Sequence, residues 1–129
     1  MAYSLRIDPR DGYLHVRVEG ENTADVVRRY LSDVQTACAS AGCPSVLIEE
    51  RLTGPRMAIA DIFKIVTEKS DEAKSFIRVV AFVDMNADGP GNMKFAENVA
   101  VNRGMTMSAF SSIAEAEAWM RKKLDPGAK

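Results

Sequence analysis

The order of hydrophobic patterns along the chain predicts an α/β fold: a mainly parallel five-stranded sheet, its first strand antiparallel, with four helices in the order β-β-α-β-α-β-α-β-α. Three observations predict it. Two stretches of alternating apolar and polar residues, Leu5 to Ile7 and Tyr13 to Val18, flank the turn-forming Asp8-Pro9-Arg10-Asp11-Gly12. Two short continuous apolar runs, Val46-Leu47-Ile48 and Val79 to Val83, have the composition of strands covered on both faces. Between and after these runs, apolar residues recur at spacings of three and four, as amphipathic helices require. Strands that alternate with helices need crossovers, and right-handed crossovers make the later strands parallel.

Composition narrows the class of protein. The 129 residues are 47% hydrophobic and 27% charged, the balance of one globular domain, expected over residues 1–124 with residues 125–129 as a loose tail. Seventeen Lys and Arg against eighteen Asp and Glu leave a net charge of -1, which argues against nucleic acid or an anionic membrane as the main partner. The amino-terminal Met-Ala-Tyr-Ser-Leu-Arg lacks the features of a secretion signal, and no run approaches the ~18 apolar residues of a membrane span. The expected location is the cytoplasm. Cys38 and Cys43 have no further Cys or nearby His to complete a metal set, and Cys38 falls on the apolar side of its helix, as a buried structural thiol would.

The elements follow in order. On the second strand, Leu14, Val16 and Val18 share one face while Tyr13, His15 and Arg17 share the other, so His15, the only histidine, points away from the main apolar face and is read as a surface residue. Val27, Tyr30, Leu31, Val34 and Cys38 mark the first helix, capped by Asn22 or Thr23 and stopped by Gly42 and Pro44. After Val46-Leu47-Ile48 come Glu49-Glu50-Arg51 at the strand end and the loop Leu52-Thr53-Gly54-Pro55-Arg56. Ile59, Ile62, Phe63 and Val66 then define a second helix. Val79 to Val83 is a central strand, residues 93–103 a third helix ended by Gly104, and Met105 to Phe110 a strand near an edge. Ser112 and Glu115 form a capping box for the last helix, whose Arg121, Lys122 and Lys123 complement its negative end.

In a fold of this kind sites gather at the carboxyl ends of the strands. That edge would collect Glu49, Glu50, Arg51, the loop at 52–57, Asp84 and the loop at 85–92. Asp84-Met85-Asn86-Ala87-Asp88-Gly89 reproduces half of a calcium loop, but the twelfth position is Phe95 where a bidentate Glu is needed, so no metal is expected. Gly89-Pro90-Gly91-Asn92 matches neither phosphate-binding fingerprint. Glu49, Glu50 and Asp84 would serve as an acid/base set only if they converged; otherwise they are solvated strand ends paired with Arg51 or Arg56. Met57, Met85 and Met93 fall in or beside loops at this edge, where flexible apolar side chains can line a pocket. Met105 and Met107 read as core.

Val99-Ala100-Val101-Asn102-Arg103-Gly104, then Phe110, Glu115-Ala116 and Trp119-Met120, together with Val46-Leu47-Ile48-Glu49, resemble the motifs of the SpoIIAA-like or STAS superfamily, in the branch of small SpoIIAA-like proteins grouped with STAS/CRAL-TRIO-type domains. The resemblance spans nearly the whole chain and implies the fold of bacterial anti-sigma-factor antagonists. In sporulation-type antagonists the loop before the second helix carries a phosphorylated Ser in Asp-Ser-Ser-Gly. Here that region reads Arg56-Met57-Ala58-Ile59, and Thr53 is the nearest hydroxyl.

These readings lead to a non-catalytic regulatory or protein-interaction module without a cofactor. Its partner surface would consist of Leu52, Thr53, Pro55, Arg56, Met57 and Ile59. One alternative is a carrier or sensor of a small apolar or lipid-like ligand, held by Met57, Met85 and Met93. A second is an enzyme using the strand-end carboxylates. A homodimer is compatible with each. An enclosed cavity would favour the carrier, and a flat apolar patch the interaction module.

Overall fold

The computed structural model, which describes residues 3–54, 57–85 and 90–124, contains the expected elements in the expected order. They are β1 (Tyr3–Pro9), β2 (Leu14–Glu21), α1 (Ala24–Ala41), β3 (Ser45–Thr53), α2 (Ile59–Ala73), β4 (Val79–Asp84), α3 (Pro90–Asn102), β5 (Thr106–Phe110) and α4 (Ile113–Leu124). In space the strands keep their chain order, β1-β2-β3-β4-β5, with β1 antiparallel to β2 and every later pair parallel.

That order decides where the helices lie. Each new parallel strand is added on the same side of the last, so right-handed crossovers place α1, α2 and α3 on one face. α1 packs on α2, and α2 on α3, whereas α4 packs against β3, β4 and β5. Strand alternation sorts the core accordingly. Leu14, Val16, Val18, Val46, Ile48 and Val80 face the three-helix layer, and Tyr13, Leu47, Ala81 and Val83 meet Ala116 and Met120 of α4.

Capping chemistry sets the ends. Thr23 accepts the Val26 amide in its side chain at 3.2 Å, and Gly42 closes α1 in a left-handed conformation (φ 63°) with its amide on Ala39 O. At the start of α4, Ser112 Oγ accepts the Glu115 amide at 3.2 Å and donates to the Glu115 carboxylate at 3.1 Å. α3 starts at Pro90, earlier than its apolar spacing suggests, because proline is pre-set for the first helical position.

The main departure from the sequence-based expectation is strand length. β3 continues through Glu49-Glu50-Arg51 to Thr53, and β2 runs beside it so that Gly20 pairs with Leu52 and Glu21 with Thr53. The charged triplet hid this extension, since isolated charges in a run suggest its end. Leu52 is therefore a core residue, 3% exposed, and no loop anchor. Cys38 is buried and its thiol is pushed up to about 11, by burial and then by neighbouring Cys43, as a structural thiol requires.

Candidate functional site

Adjacent residues on a strand point to opposite faces, so Glu49 and Glu50 enter different layers of the molecule. Neither is a solvated strand end. Glu49 is fully buried on the α4 side of the sheet, where His15 Nε2 lies 2.9 Å from Oε1, and Oε2 takes Arg17 Nε at 3.3 Å and the Arg51 guanidinium. Burial opposes its charge, but hydrogen bonds from Arg51 and His15 and the two guanidinium charges outweigh this and hold the carboxyl below its usual range. His15 points away from the main core, as its position in β2 predicts. It is nevertheless buried against Glu49, and among the described residues its Nδ1 has no hydrogen-bond partner.

Glu50 meets the opposite environment. It lies on the three-helix side, 9% exposed, and the fully buried Tyr30 of α1 donates its hydroxyl to Glu50 Oε2. Among the described residues no basic side chain forms an ion pair with it. Desolvation is the main cause that pushes the Glu50 carboxyl up to about 7, with the Asp84 charge adding to it and the Tyr30 bond opposing it. Glu50 and Asp84 are register neighbours on β3 and β4 and share this face. The three candidate carboxylates do not converge: Glu50 and Asp84 lie together, and Glu49 is on the other side of the sheet.

Glu50 and Asp84 border a cavity of about 150 Å³ between the sheet and α1, α2 and α3. Its walls are overwhelmingly apolar: Tyr30, Leu31 and Val34 from α1, Ile62, Ile65 and Val66 from α2, and Val46, Ile48, Val80 and Phe82 from the sheet. The space has a local cause. Ser70, Ala73, Ala96 and Ala100 bring short side chains to the helix side, too short to fill the gap down to the strands. An apolar cavity of this size takes a molecule such as benzene, whereas drug-sized ligands need roughly 300 Å³ or more.

Of the methionines expected to hold a ligand, Met57 lines the cavity. Met85 does not: it is 39% exposed and its amide donates to Glu50 O, because it follows the last residue of β4 on the outer rim. Met93 lies in the first turn of α3, its side chain outside the described part of the structure. Met105 and Met107, expected to be core, are so placed: Met105 is buried in the core on the three-helix side, Met107 packs against it, and both also line the cavity. Their alternation before and within β5 was legible, but which layer would contain the gap was not. The residues expected to bind a partner also separate. Leu52 is internal; Thr53 is exposed with Oγ1 donating to Gly20 O at 3.3 Å; Pro55 and Arg56 lie outside the described residues. Ile59 is 51% exposed and Phe63, one turn later on α2, 46% exposed.

Among the described residues no three His, Cys, Asp or Glu side chains are grouped to hold a metal ion, and the calcium-like stretch 86–89 lies outside them. No described helix is long and apolar enough to cross a membrane.

Comparison with solved structures decides the architecture. A protein of the DUF3478 family with a SpoIIAA-like fold from Shewanella loihica PV-4 superposes with a TM-score of 0.54 at 18% identity, over 92% of this chain and 93% of that one. This is the SpoIIAA-like fold. An anti-sigma factor antagonist from Mycobacterium paratuberculosis is similar too, with a TM-score of 0.59 at 13% identity, over 93% of this chain and 95% of its own. No protein-family model matches the sequence, and no curated protein does. Within this SpoIIAA-like fold, α2 starts behind Ala58, which offers no side-chain cap. The hydroxyl that sporulation-type antagonists carry in this region is absent from Arg56-Met57-Ala58-Ile59.

Proposed function

We propose that the protein is a non-catalytic regulatory module whose cavity takes a small apolar molecule. The observation that carries this reading is the space of about 150 Å³ between the sheet and α1, α2 and α3, lined by apolar side chains except for Glu50, Asp84, Asn22, Gln35, Lys69 and Ser70. Its volume favours a compact ligand over a long-chain lipid, which has several times too many carbons. Toluene tests the reading directly. At a hundredfold excess over its dissociation constant, a ligand selective for the folded state stabilises it by about 2.7 kcal/mol, so saturating toluene is expected to raise the melting temperature by several degrees. Ala100→Leu, which pushes a larger side chain into the cavity from α3, is expected to abolish that rise. Absence of a shift in the parent protein, or an equal shift in the filled variant, overturns the proposal.

A second reading, a protein-docking surface on α2, has its own support. Ile59 and Phe63 are a helical turn apart and both are exposed, and large apolar side chains so placed are common partner anchors. The name of the mycobacterial antagonist points to a protein partner for that neighbour and suggests one here. Phe63→Asp is then expected to weaken association with such a partner at least tenfold, measured by titration, while leaving the toluene response intact. An unchanged affinity removes α2 from the interface.

A further inference from the structure

Among the described residues the two edges of the sheet are treated differently. On β5 the Ala109 amide donates to Glu97 Oε1 at 2.7 Å, and Ser108 Oγ donates to the same oxygen at 3.3 Å, so a carboxylate from α3 occupies that edge. β1 forms the opposite edge. Its seven residues run in unbroken register from Tyr3 opposite Gly20 to Pro9 opposite Leu14, without a bulge or a lysine, and its one proline is the last residue. Strands left so open pair readily with another chain. We infer that two copies of this chain pair antiparallel along β1, about a two-fold axis at Ile7, to form one continuous sheet.

The hairpin sets which backbone groups point outward. Arg10 N–H donates to Tyr13 O at 2.8 Å, so that pair is hydrogen-bonded, and alternate pairs follow suit: Asp8 with His15, and Arg6 with Arg17. Leu5, Ile7 and Pro9 therefore turn their backbone groups away from β2. Pro9, which has no N–H, falls where β2 requires none. Among the described residues nothing bonds the outward groups of Leu5 and Ile7. With the axis at Ile7, that residue exchanges both backbone bonds with its counterpart, and Leu5 N–H reaches the Pro9 carbonyl of the second copy, where the proline serves only as acceptor.

Charge fixes the register. Arg6 and Asp8 share the α4-side face, with side chains 72% and 43% exposed. An axis at Arg6 sets arginine directly against arginine, one at Asp8 sets carboxylate against carboxylate, and one at Leu5 leaves Arg6 opposite Ser4. An axis at Ile7 instead sets each Arg6 opposite the second copy's Asp8, an ion pair on either side of the axis. That carboxylate also offsets Arg17, which stands directly across from Arg6 in β2. On the other face Ile7, 37% exposed in the single chain, is covered by its counterpart. α4 packs on β3, β4 and β5 and so stands clear of the seam.

Sedimentation velocity on the full chain tests the pairing. The parent is expected to pass from monomer to dimer below about 1 mM, and to do so less readily as salt is raised. Arg6→Asp and Asp8→Arg, made separately, set like charges across the seam, and each is expected to weaken self-association roughly tenfold. Mixed in equal amounts the two variants are complementary, and the mixture is expected to recover the parent's affinity. Ile7→Pro removes the central donor of each copy without touching a β1–β2 bond, and is expected to abolish the dimer while the far-UV circular dichroism is kept; the charge variants, at exposed side chains, decide the matter even if this proline disturbs the fold. A parent that stays monomeric up to about 1 mM, or a mixture no tighter than either variant alone, overturns the inference. So does a dimer that survives Ile7→Pro and is lost in Phe63→Asp, which places the contact on α2.

Discussion

Glu50→Gln is expected to make the protein more stable at pH 8 by about 2–3 kcal/mol, and to change it by less than about 1 kcal/mol at pH 5. The sign follows from the direction of the shift. In the unfolded chain Glu50 titrates near its ordinary value of 4.5, while in the folded protein burial pushes it up to about 7. Between these values the folded state holds a proton that the unfolded state has released, so stability falls as pH rises through the window and levels off above it. Glutamine is neutral at every pH and still accepts the Tyr30 hydroxyl, so the variant avoids the loss. Glu49 does not obscure the comparison: its pKa is held low, so its contribution is present above about 4.5 and declines only as pH falls below that value. Urea denaturation at pH 5, 6, 7 and 8 provides the measurement. Parallel curves for parent and variant across the series would show that Glu50 is not held in a desolvated site.

Glu49→Ala is expected to have the opposite character, a loss of about 2–4 kcal/mol at pH 7. The side chain is fully buried and joins His15, Arg17 and Arg51 across two strands. Its removal leaves the buried His15 without its Nε2 partner and places Arg17 and Arg51 close together without a counter-ion. The two arginine side chains are 42% and 41% exposed, so they can turn to water, which is why the lower half of the range is realistic. Arg17→Ala alone, removing one partly exposed member, should cost less than about 1 kcal/mol. The difference between parent and Glu49→Ala should shrink only as pH falls below the ordinary carboxyl range, because the folded-state carboxyl is held low and takes up its proton there. A Glu49→Ala variant within 1 kcal/mol of the parent at pH 7, the lower bound being set by surface ion pairs, would mean that the cluster is ornamental to folding.

These two neighbours illustrate what can be read from a one-dimensional pattern. The alternation of β2 placed His15 and Arg17 on the face away from the main core, and that placement holds. The same period-two rule, applied to Glu49 and Glu50, separates them onto opposite faces, yet it cannot say that each will be buried. Burial depends on what the rest of the chain lays over a face: α1 and its Tyr30 over Glu50, and the α4-side layer with His15, Arg17 and Arg51 around Glu49. Charges inside β3 consequently resembled a strand end, and Leu52 resembled a loop residue.

The sequence by itself determined the elements, their caps and their order, because those depend on local hydrogen bonding and on side-chain periods within a dozen residues. Thr23, Gly42 and the Ser112–Glu115 pair act over three or four positions and were legible without any partner. Strand order, the placement of α1, α2 and α3 on one face and the gap beneath them were decided only in three dimensions. Short residues on α2 and α3, far apart in the chain, leave a cavity only once both helices lie over the same strands, and Glu50 acquires its unusual titration only when the packed helices bury it beside Asp84.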